Sequence, residues 1–131
     1  MAIIASTTVD SDTGYAQRID AAGHALTADE PRGGGGTDTG PSPYGLLLAA
    51  LGACTSITLR MYAERKGWQL GRIHVELDHV KTHDGPEHIE RRVRFGAPLT
   101  DEQRARIADI VEKTPVTKTI KAGAAITTQL L

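Results

Sequence analysis

The sequence predicts an α+β fold in which helices pack on an antiparallel sheet. Three observations predict it: short alternating strands in the N-terminal third, one long helix from Pro43 to Lys66 with no charge before Arg60, and a charged hairpin that precedes a second helix. At 131 residues the chain is long enough for a modest core, so we expect one domain over residues 1–131.

The composition narrows the classes of function. The 15 basic and 16 acidic residues nearly cancel, so we expect no nucleic-acid partner and no anionic membrane partner. A single cysteine excludes an internal disulfide and a C-x-x-C pair. No cofactor motif is present, and no cofactor is expected. The N-terminal residues lack the pattern of a signal peptide, which favours the cytoplasm.

The N-terminal third predicts two strands and a glycine-rich loop. Tyr15, Gln17 and Ile19 alternate with polar or small residues, Ala22-Gly23 can turn the chain, and residues 24–28 return as a strand. The loop over residues 31–43 contains four consecutive glycines but no phosphate-binding motif. A mobile connector is therefore favoured over a phosphate cradle.

The central helix has clear start and stop signals. Ser42 is a good N-cap, Pro43 suits the first helical position, and Gly67 suits a left-handed C-cap. No charge occurs before Arg60, and the uncharged run falls short of the ~20 apolar residues of a membrane span. A helix that is apolar on all sides should be covered by protein on all sides.

The C-terminal half predicts a hairpin, two helices and a final strand. Residues 73–78 and 88–95 alternate in polarity around a bend at Asp84-Gly85. Thr100 and Gln103 form a capping box, and Thr114 followed by Pro115 restarts a short helical turn. The last predicted element is a strand over residues 124–131.

Four histidines lie close together in sequence and raise the question of a metal site. Their spacing provides no helical H-x-x-x-H pair, and His74 and His79 point to opposite faces of one strand. We therefore interpret them as sheet and loop residues and expect no metal; the group is His74, His79, His83 and His88.

Cys54 is the candidate reactive residue. A thiol in an apolar helix is either an inert small hydrophobe or a nucleophile kept away from bulk water. Because Cys54 lies in the middle of its helix, that helix's own N-terminus cannot stabilise a thiolate there. The N-terminus of the short turn at Thr114-Pro115 is a candidate source, provided that it packs nearby.

The residues around Cys54 resemble the OsmC/Ohr family of thiol-dependent peroxide reductases, and the shorter OsmC-like redox proteins most. The resemblance rests on Pro43-Tyr-Gly-Leu-Leu-Leu-Ala-Ala-Leu-Gly-Ala-Cys54 and extends over most of the chain. It implies an intertwined homodimer in which sheets wrap long central helices, with active sites at the subunit interface. It also implies that Cys54 is the peroxidatic thiolate, which reduces an organic hydroperoxide and becomes a sulfenic acid.

The chain departs from the pattern of this family at three places. Thr114 replaces the resolving cysteine, Thr117 replaces a histidine common in OsmC-like relatives, and Tyr44-Gly45 occupy the place of a glutamate that orients an arginine. Arg18 and Arg32 are the only early arginines. The candidate pocket residues beside Cys54 are Tyr44, Arg18, Thr114 and Thr117.

Two functions follow from these departures. One is a one-cysteine peroxidase that needs an external thiol reductant to resolve its sulfenic acid. The other is a non-catalytic protein that binds a small apolar ligand at the dimer interface. Oxidation of Cys54 by a peroxide discriminates between them.

Overall fold

The computed structural model describes residues 1–131 and has an α+β architecture. Three helices and two small antiparallel sheets form in the order β1 (Thr7–Asp10), β2 (Gln17–Ala21), β3 (His24–Ala28), α1 (Pro43–Lys66), β4 (Ile73–Lys81), β5 (Glu87–Phe95), α2 (Asp101–Val111) and α3 (Pro115–Ala122). The residues group into two compact units, 1–47 and 48–131. The single domain over residues 1–131 stays a prediction.

The first unit is built on a three-stranded sheet with the order β1-β2-β3. Ala22 and Gly23 both have positive φ, at 53° and 85°, which is the backbone of a tight hairpin turn and confirms the predicted bend. Val9 pairs with Ile19, and Ile19 pairs with Leu26. Directly paired residues share a face of a sheet, so these three side chains form one apolar row.

A buried carboxylate organises the glycine-rich loop that follows β3. Asp29 accepts hydrogen bonds from the backbone N–H and the hydroxyl of both Thr37 and Thr39, and from the N–H of Glu30. These bonds hold the pKa of Asp29 well below its usual range, with the two threonine hydroxyls as the largest cause and burial acting against them. The threonine N–H groups bind this carboxylate, which disfavours a phosphate cradle.

Both ends of α1 follow the sequence signals. Ser42 Oγ accepts a hydrogen bond of 3.1 Å from the N–H of Gly45, which is N-capping geometry. Gly67 has a φ of 69°, and the N–H of Trp68 donates to the carbonyl of Ala63 at 2.9 Å. This pairing across a left-handed glycine is the Schellman arrangement, so the predicted cap is confirmed.

The second unit packs the β4–β5 hairpin, α2 and α3 with most of α1. Its buried cluster contains Leu59 and Ala63 of α1, Leu70 of the following loop and Ile107 of α2. Thr100 caps α2 in a reciprocal capping box with Gln103, as predicted. Gly52 lies against the side chains of Leu77 and Val75 on β4, where a Cβ would come within 2.9 Å of Leu77 Cδ1.

The structure differs from the sequence-based expectation in two elements. A single sheet was expected, but the strands form two separate sheets of three and two strands. Residues 124–131 form no strand, and the side chains of Ile126, Leu130 and Leu131 are exposed. No strand of the chain pairs with this segment, and an unpaired strand has no ladder to stabilise it.

Only one side of α1 is buried within the chain. Leu51, Thr55, Leu59 and Ala63 recur every fourth residue and are buried, whereas Ile57 and Met61 are 59% and 50% exposed. By length and composition α1 could also cross a membrane, with a mean hydropathy of 1.5 over its most apolar window, of which 22% is buried. The expectation that protein covers every side of α1 is therefore not met by one chain alone.

Candidate functional site

Cys54 lies at the border between the buried and the exposed sides of α1. Gly52, two residues earlier, and Thr55, the next residue, are buried, whereas the Cys54 side chain is only partly buried. The nearest hydroxyl on its own helix is that of Thr58, whose Oγ1 lies 4.0 Å from Cys54 Sγ.

The first turn of α3 packs directly on this thiol. Thr114 is the buried N-cap, Pro115 is the first helical residue, and the N–H of Val116 donates to Cys54 Sγ at 3.5 Å. Because proline has no N–H, Val116 carries the first free backbone donor of the helix, and that donor points at the sulfur. The positive end of the α3 dipole therefore lies at the sulfur of Cys54.

Hydroxyl groups surround the contact between α1 and α3. Thr114 Oγ1 and Thr117 Oγ1 lie 2.6 Å apart, and Thr55 Oγ1 donates to the carbonyl of Leu51 at 2.7 Å. Thr114 does not cap α3 through its side chain, since its hydroxyl bonds Thr117 instead. The structure thus brings two of the predicted pocket residues, Thr114 and Thr117, to the segment that contacts Cys54.

An arginine that the sequence analysis missed completes this cluster. Arg91 Nη1 donates to Thr55 Oγ1 and to Thr117 Oγ1, both at 2.9 Å, and Arg91 Nη2 donates to the carbonyl of Val111 at 2.8 Å. The signal was present in the strand pattern. Ile89, Val93 and Phe95 point inward from β5, and Arg91 occupies the inward position between them.

One carboxylate lies near Arg91. Glu112 Oε1 is 3.9 Å from Arg91 Nη2, but the other oxygen of Glu112 bonds Lys121 of α3. The hydrogen bond from Lys121 lowers the pKa of Glu112, with burial opposing and the charges of Lys121 and Arg91 adding to the effect. The Glu112 carboxylate is therefore paired mainly with Lys121, and it offsets the positive charge of Arg91 only in part.

The other two candidate pocket residues belong to the first unit. Tyr44 lies in the first turn of α1 and is largely exposed. Arg18 lies on β2, where its Nη1 contacts the carboxylate of Asp12 at 2.6 Å and both side chains are exposed. A role for Tyr44 or Arg18 in the pocket stays a prediction.

A family model described as OsmC-like protein matches residues 35–129, which include α1, the hairpin, α2 and α3. The chain belongs to this family. No curated protein matches the chain. The matched residues include Cys54 and the first turn of α3 that contacts it.

Solved structures show the same fold. An OsmC-like protein from Mycoplasma pneumoniae superimposes with a TM-score of 0.79 at 16% identity, covering 94% of this chain and 91% of that chain. A Psychrobacter arcticus protein, provisionally described as an osmotic stress induced and detoxification response protein, gives 0.78 at 17% identity, with 91% and 90% covered. The organic hydroperoxide resistance protein OhrB of Bacillus subtilis gives 0.63 at 21% identity, with 92% and 93% covered.

The histidines that raised the question of a metal do not form a ligand set in this OsmC-like chain. Three of them pair with a carboxylate on the hairpin: His74 with Glu76, His79 with Glu87 and His88 with Glu90. No group of three or more His, Cys, Asp or Glu side chains is placed to hold a metal ion.

Proposed function

We propose that the protein reduces organic hydroperoxides through Cys54. The observation that supports this most is the N–H of Val116 donating to Cys54 Sγ at 3.5 Å from the first turn of α3. A backbone donor and a helix N-terminus stabilise a thiolate, and the thiolate is the form of cysteine that attacks. Membership of the OsmC-like family and the fold shared with an organic hydroperoxide resistance protein add weight to this reading.

The first step transfers one oxygen atom to the sulfur. The Cys54 thiolate attacks the terminal oxygen of the hydroperoxide, so the S–O bond forms as the O–O bond breaks. The alkoxide leaves, takes a proton and becomes an alcohol, while Cys54 becomes a sulfenic acid. The hydroxyls around the contact between α1 and α3 offer hydrogen bonds to the departing oxygen.

The second step needs a reductant from outside the chain, because Cys54 is the only cysteine. A small thiol attacks the sulfenic sulfur and releases water, which leaves a mixed disulfide. A second thiol then attacks that disulfide, restores the Cys54 thiol and carries away the oxidised pair. We therefore propose an external thiol reductant as the partner in turnover.

Consumption of cumene hydroperoxide by the purified protein tests the proposal. Without a reductant we expect one equivalent per chain to be consumed rapidly, as Cys54 becomes a sulfenic acid, and we expect rapid consumption to continue only when dithiothreitol is added. Excess peroxide alone should drive Cys54 on to the irreversible sulfinic state.

Cys54→Ser is the matched variant, since it removes the sulfur and changes the side-chain volume little. It should consume no peroxide and should keep the circular dichroism spectrum and the assembly state of the wild type. If the wild-type thiol stays reduced in a large peroxide excess, the peroxidase proposal fails. Binding of a small apolar ligand near Cys54 would then be the function to test.

We also propose that two copies of the chain form a homodimer through apolar surfaces that the single chain leaves exposed. In the second unit, Ile57 and Met61 form an exposed apolar stripe on α1. In the first unit, Val9 and Leu26, at 56% and 47% exposed, belong to the apolar row of the β1–β3 sheet. Uncovered surfaces of this kind mark contacts with another chain.

The setting that fits these properties is the cytoplasm. The net charge of −1 supports neither a nucleic-acid partner nor an anionic membrane partner. The apolar length of α1 is accounted for by the core on one side and by a second copy on the other, without a bilayer. The substrate and the reductant are then both small molecules that reach Cys54 from solution.

A further inference from the structure

Arg91 is a charged side chain in an apolar position. Its side chain is 12% exposed, and it points inward from β5 between Ile89 and Val93. Burying a guanidinium is costly unless its N–H groups find partners. The partners of Arg91 all come from other elements, namely Thr55 of α1, Val111 of α2 and Thr117 of α3.

These hydrogen bonds reach both sides of the contact at the thiol. Thr55 follows Cys54 in α1, and Thr117 follows Val116, whose N–H donates to Cys54 Sγ. Arg91 Nη1 therefore joins the residue next to the sulfur and the residue next to its hydrogen-bond donor. The planar fork of a guanidinium can hold several acceptors in fixed directions, which an ammonium cannot do.

We infer that Arg91 is the positioning residue of the Cys54 site. It holds the first turn of α3 on the sulfur, and its fixed positive charge lies one hydrogen bond away from Thr55, the residue that follows Cys54. The expected effect of Arg91 on peroxide reduction rests on the proposed function. Its effect on the thiol itself is independent of any peroxide.

Other titratable groups contact Arg91 or lie on the same hairpin, so the variants used in the test must leave them unchanged. Glu112 is 3.9 Å from Arg91 and bonds Lys121 of α3. His79 belongs to β4 of the same hairpin and pairs with Glu87 at 3.0 Å. Each variant below keeps all four groups, so their titration is common to every pH profile.

The rate of alkylation of Cys54 by iodoacetamide, measured from pH 5 to pH 10, tests the inference. In Arg91→Met, which keeps an unbranched apolar stem but removes the charge and the guanidinium, we expect the pH of half-maximal rate to rise by about one unit. In Arg91→Lys, which keeps the charge but loses the fork, the profile should stay near that of the wild type. The oxidation rate of Arg91→Lys by cumene hydroperoxide should fall several-fold.

Arg94→Met is the matched control on the same strand. Arg94 is exposed and pairs with Glu76 on the outer face of the hairpin, so its loss should leave the profile and both rates unchanged. A folded Arg91→Met with the wild-type profile and rates overturns the inference. An equal shift in Arg94→Met overturns it as well, because the effect would then be one of net charge.

A second variant covers the case in which Arg91→Met does not fold. Thr117→Val removes one acceptor of Arg91 on α3 and keeps the charge. It should slow peroxide oxidation several-fold, and an unchanged rate overturns the inference. If wild-type Cys54 resists peroxide while its alkylation profile shifts in Arg91→Met, the proposed function fails and the role of Arg91 stands.

Discussion

At the scale of single residues, the surroundings of Cys54 are formed by neighbours that are distant in sequence. The donor on its sulfur is Val116, and the charge behind that donor is Arg91. The sequence named Cys54 as the candidate nucleophile and the Thr114-Pro115 turn as its candidate partner, and α3 does contact its sulfur. It did not predict Arg91, because the neighbours of Arg91 in β5 are also charged. Only the alternation of β5 shows that Arg91 points to the same side as Ile89 and Val93.

Thr114→Cys tests the placement of α3 beside the thiol. The N-cap of α3 lies two residues before the donor to Cys54 Sγ, so a second sulfur there should reach Cys54 if the Cα atoms lie within roughly 7 Å. Mild oxidation should form an intramolecular disulfide, measured as the loss of both free thiols on titration. A cysteine at the exposed Lys118 should form none, and a failure of Thr114→Cys to form a disulfide would contradict the close approach.

Asp29 gives a prediction for the dependence of the first unit on pH. Its pKa is lowered in the folded chain, so its contribution to stability is present above the ordinary value of about 3.9. The contribution is lost only as the pH falls further, through the lowered pKa of the folded state. Amide exchange at Thr37 and Thr39 should therefore stay protected at pH 4 and become fast only in stronger acid.

Asp29→Asn should remove that protection already at neutral pH. The amide NH₂ cannot accept a hydrogen bond, so at least the donor on one oxygen of Asp29 loses its partner, and the neutral amide oxygen accepts more weakly from the rest. Asp38→Asn is the matched control, because Asp38 is exposed in the same loop and asparagine tolerates its positive φ of 55°. Equal exchange rates in the two variants would show that the Asp29 carboxylate does not hold the loop.

At the scale of elements, the caps and turns were predicted correctly from the sequence because their hydrogen bonds are local. Ser42, Gly67 and the Thr100–Gln103 box act through groups within a few residues of themselves. The strand expected over residues 124–131 did not form, since a strand needs a partner that may lie anywhere along the chain or on another chain. The residues of the segment itself gave no information about that partner.

The close approach of α1 and β4 at Gly52 gives a prediction for packing. Gly52→Ala should change the free energy of unfolding little, since the Leu77 side chain can move at its end and alanine favours a helix by about 1 kcal/mol. Gly52→Val adds methyl groups against Leu77 and Val75 and should destabilise by about 1–3 kcal/mol relative to Gly52→Ala. Urea denaturation measures both. Equal stabilities would mean that α1 does not pack tightly on the hairpin.

At the scale of the whole molecule, one side of α1 stays exposed in the single chain. The sequence predicted that protein covers α1 on every side, but a single chain covers only the side with Leu51, Thr55, Leu59 and Ala63. The two separate sheets were not predicted, because local alternation shows that strands exist and not which strands pair. The assembly of two copies is therefore the prediction that reaches furthest beyond the single chain.

Sedimentation at micromolar concentration should show a species of about twice the 14.0 kDa chain. Ile57→Glu should dissociate it, because a carboxylate in an apolar interface loses its hydration without gaining a partner. Arg104→Glu introduces the same acid at an exposed position of α2 and should leave the dimer intact. A stable, folded wild-type monomer would contradict both the assembly and the proposed role of the exposed stripe.

The most direct test of the central claim is the intact mass of the protein after brief exposure to one equivalent of an organic hydroperoxide. The peroxidatic role of Cys54 predicts the gain of one oxygen atom in the wild type, trapped by a sulfenic-acid reagent, and no gain in Cys54→Ser. A small thiol added afterwards should return the mass to its starting value. An unchanged wild-type mass, or an equal gain in Cys54→Ser, would contradict the account.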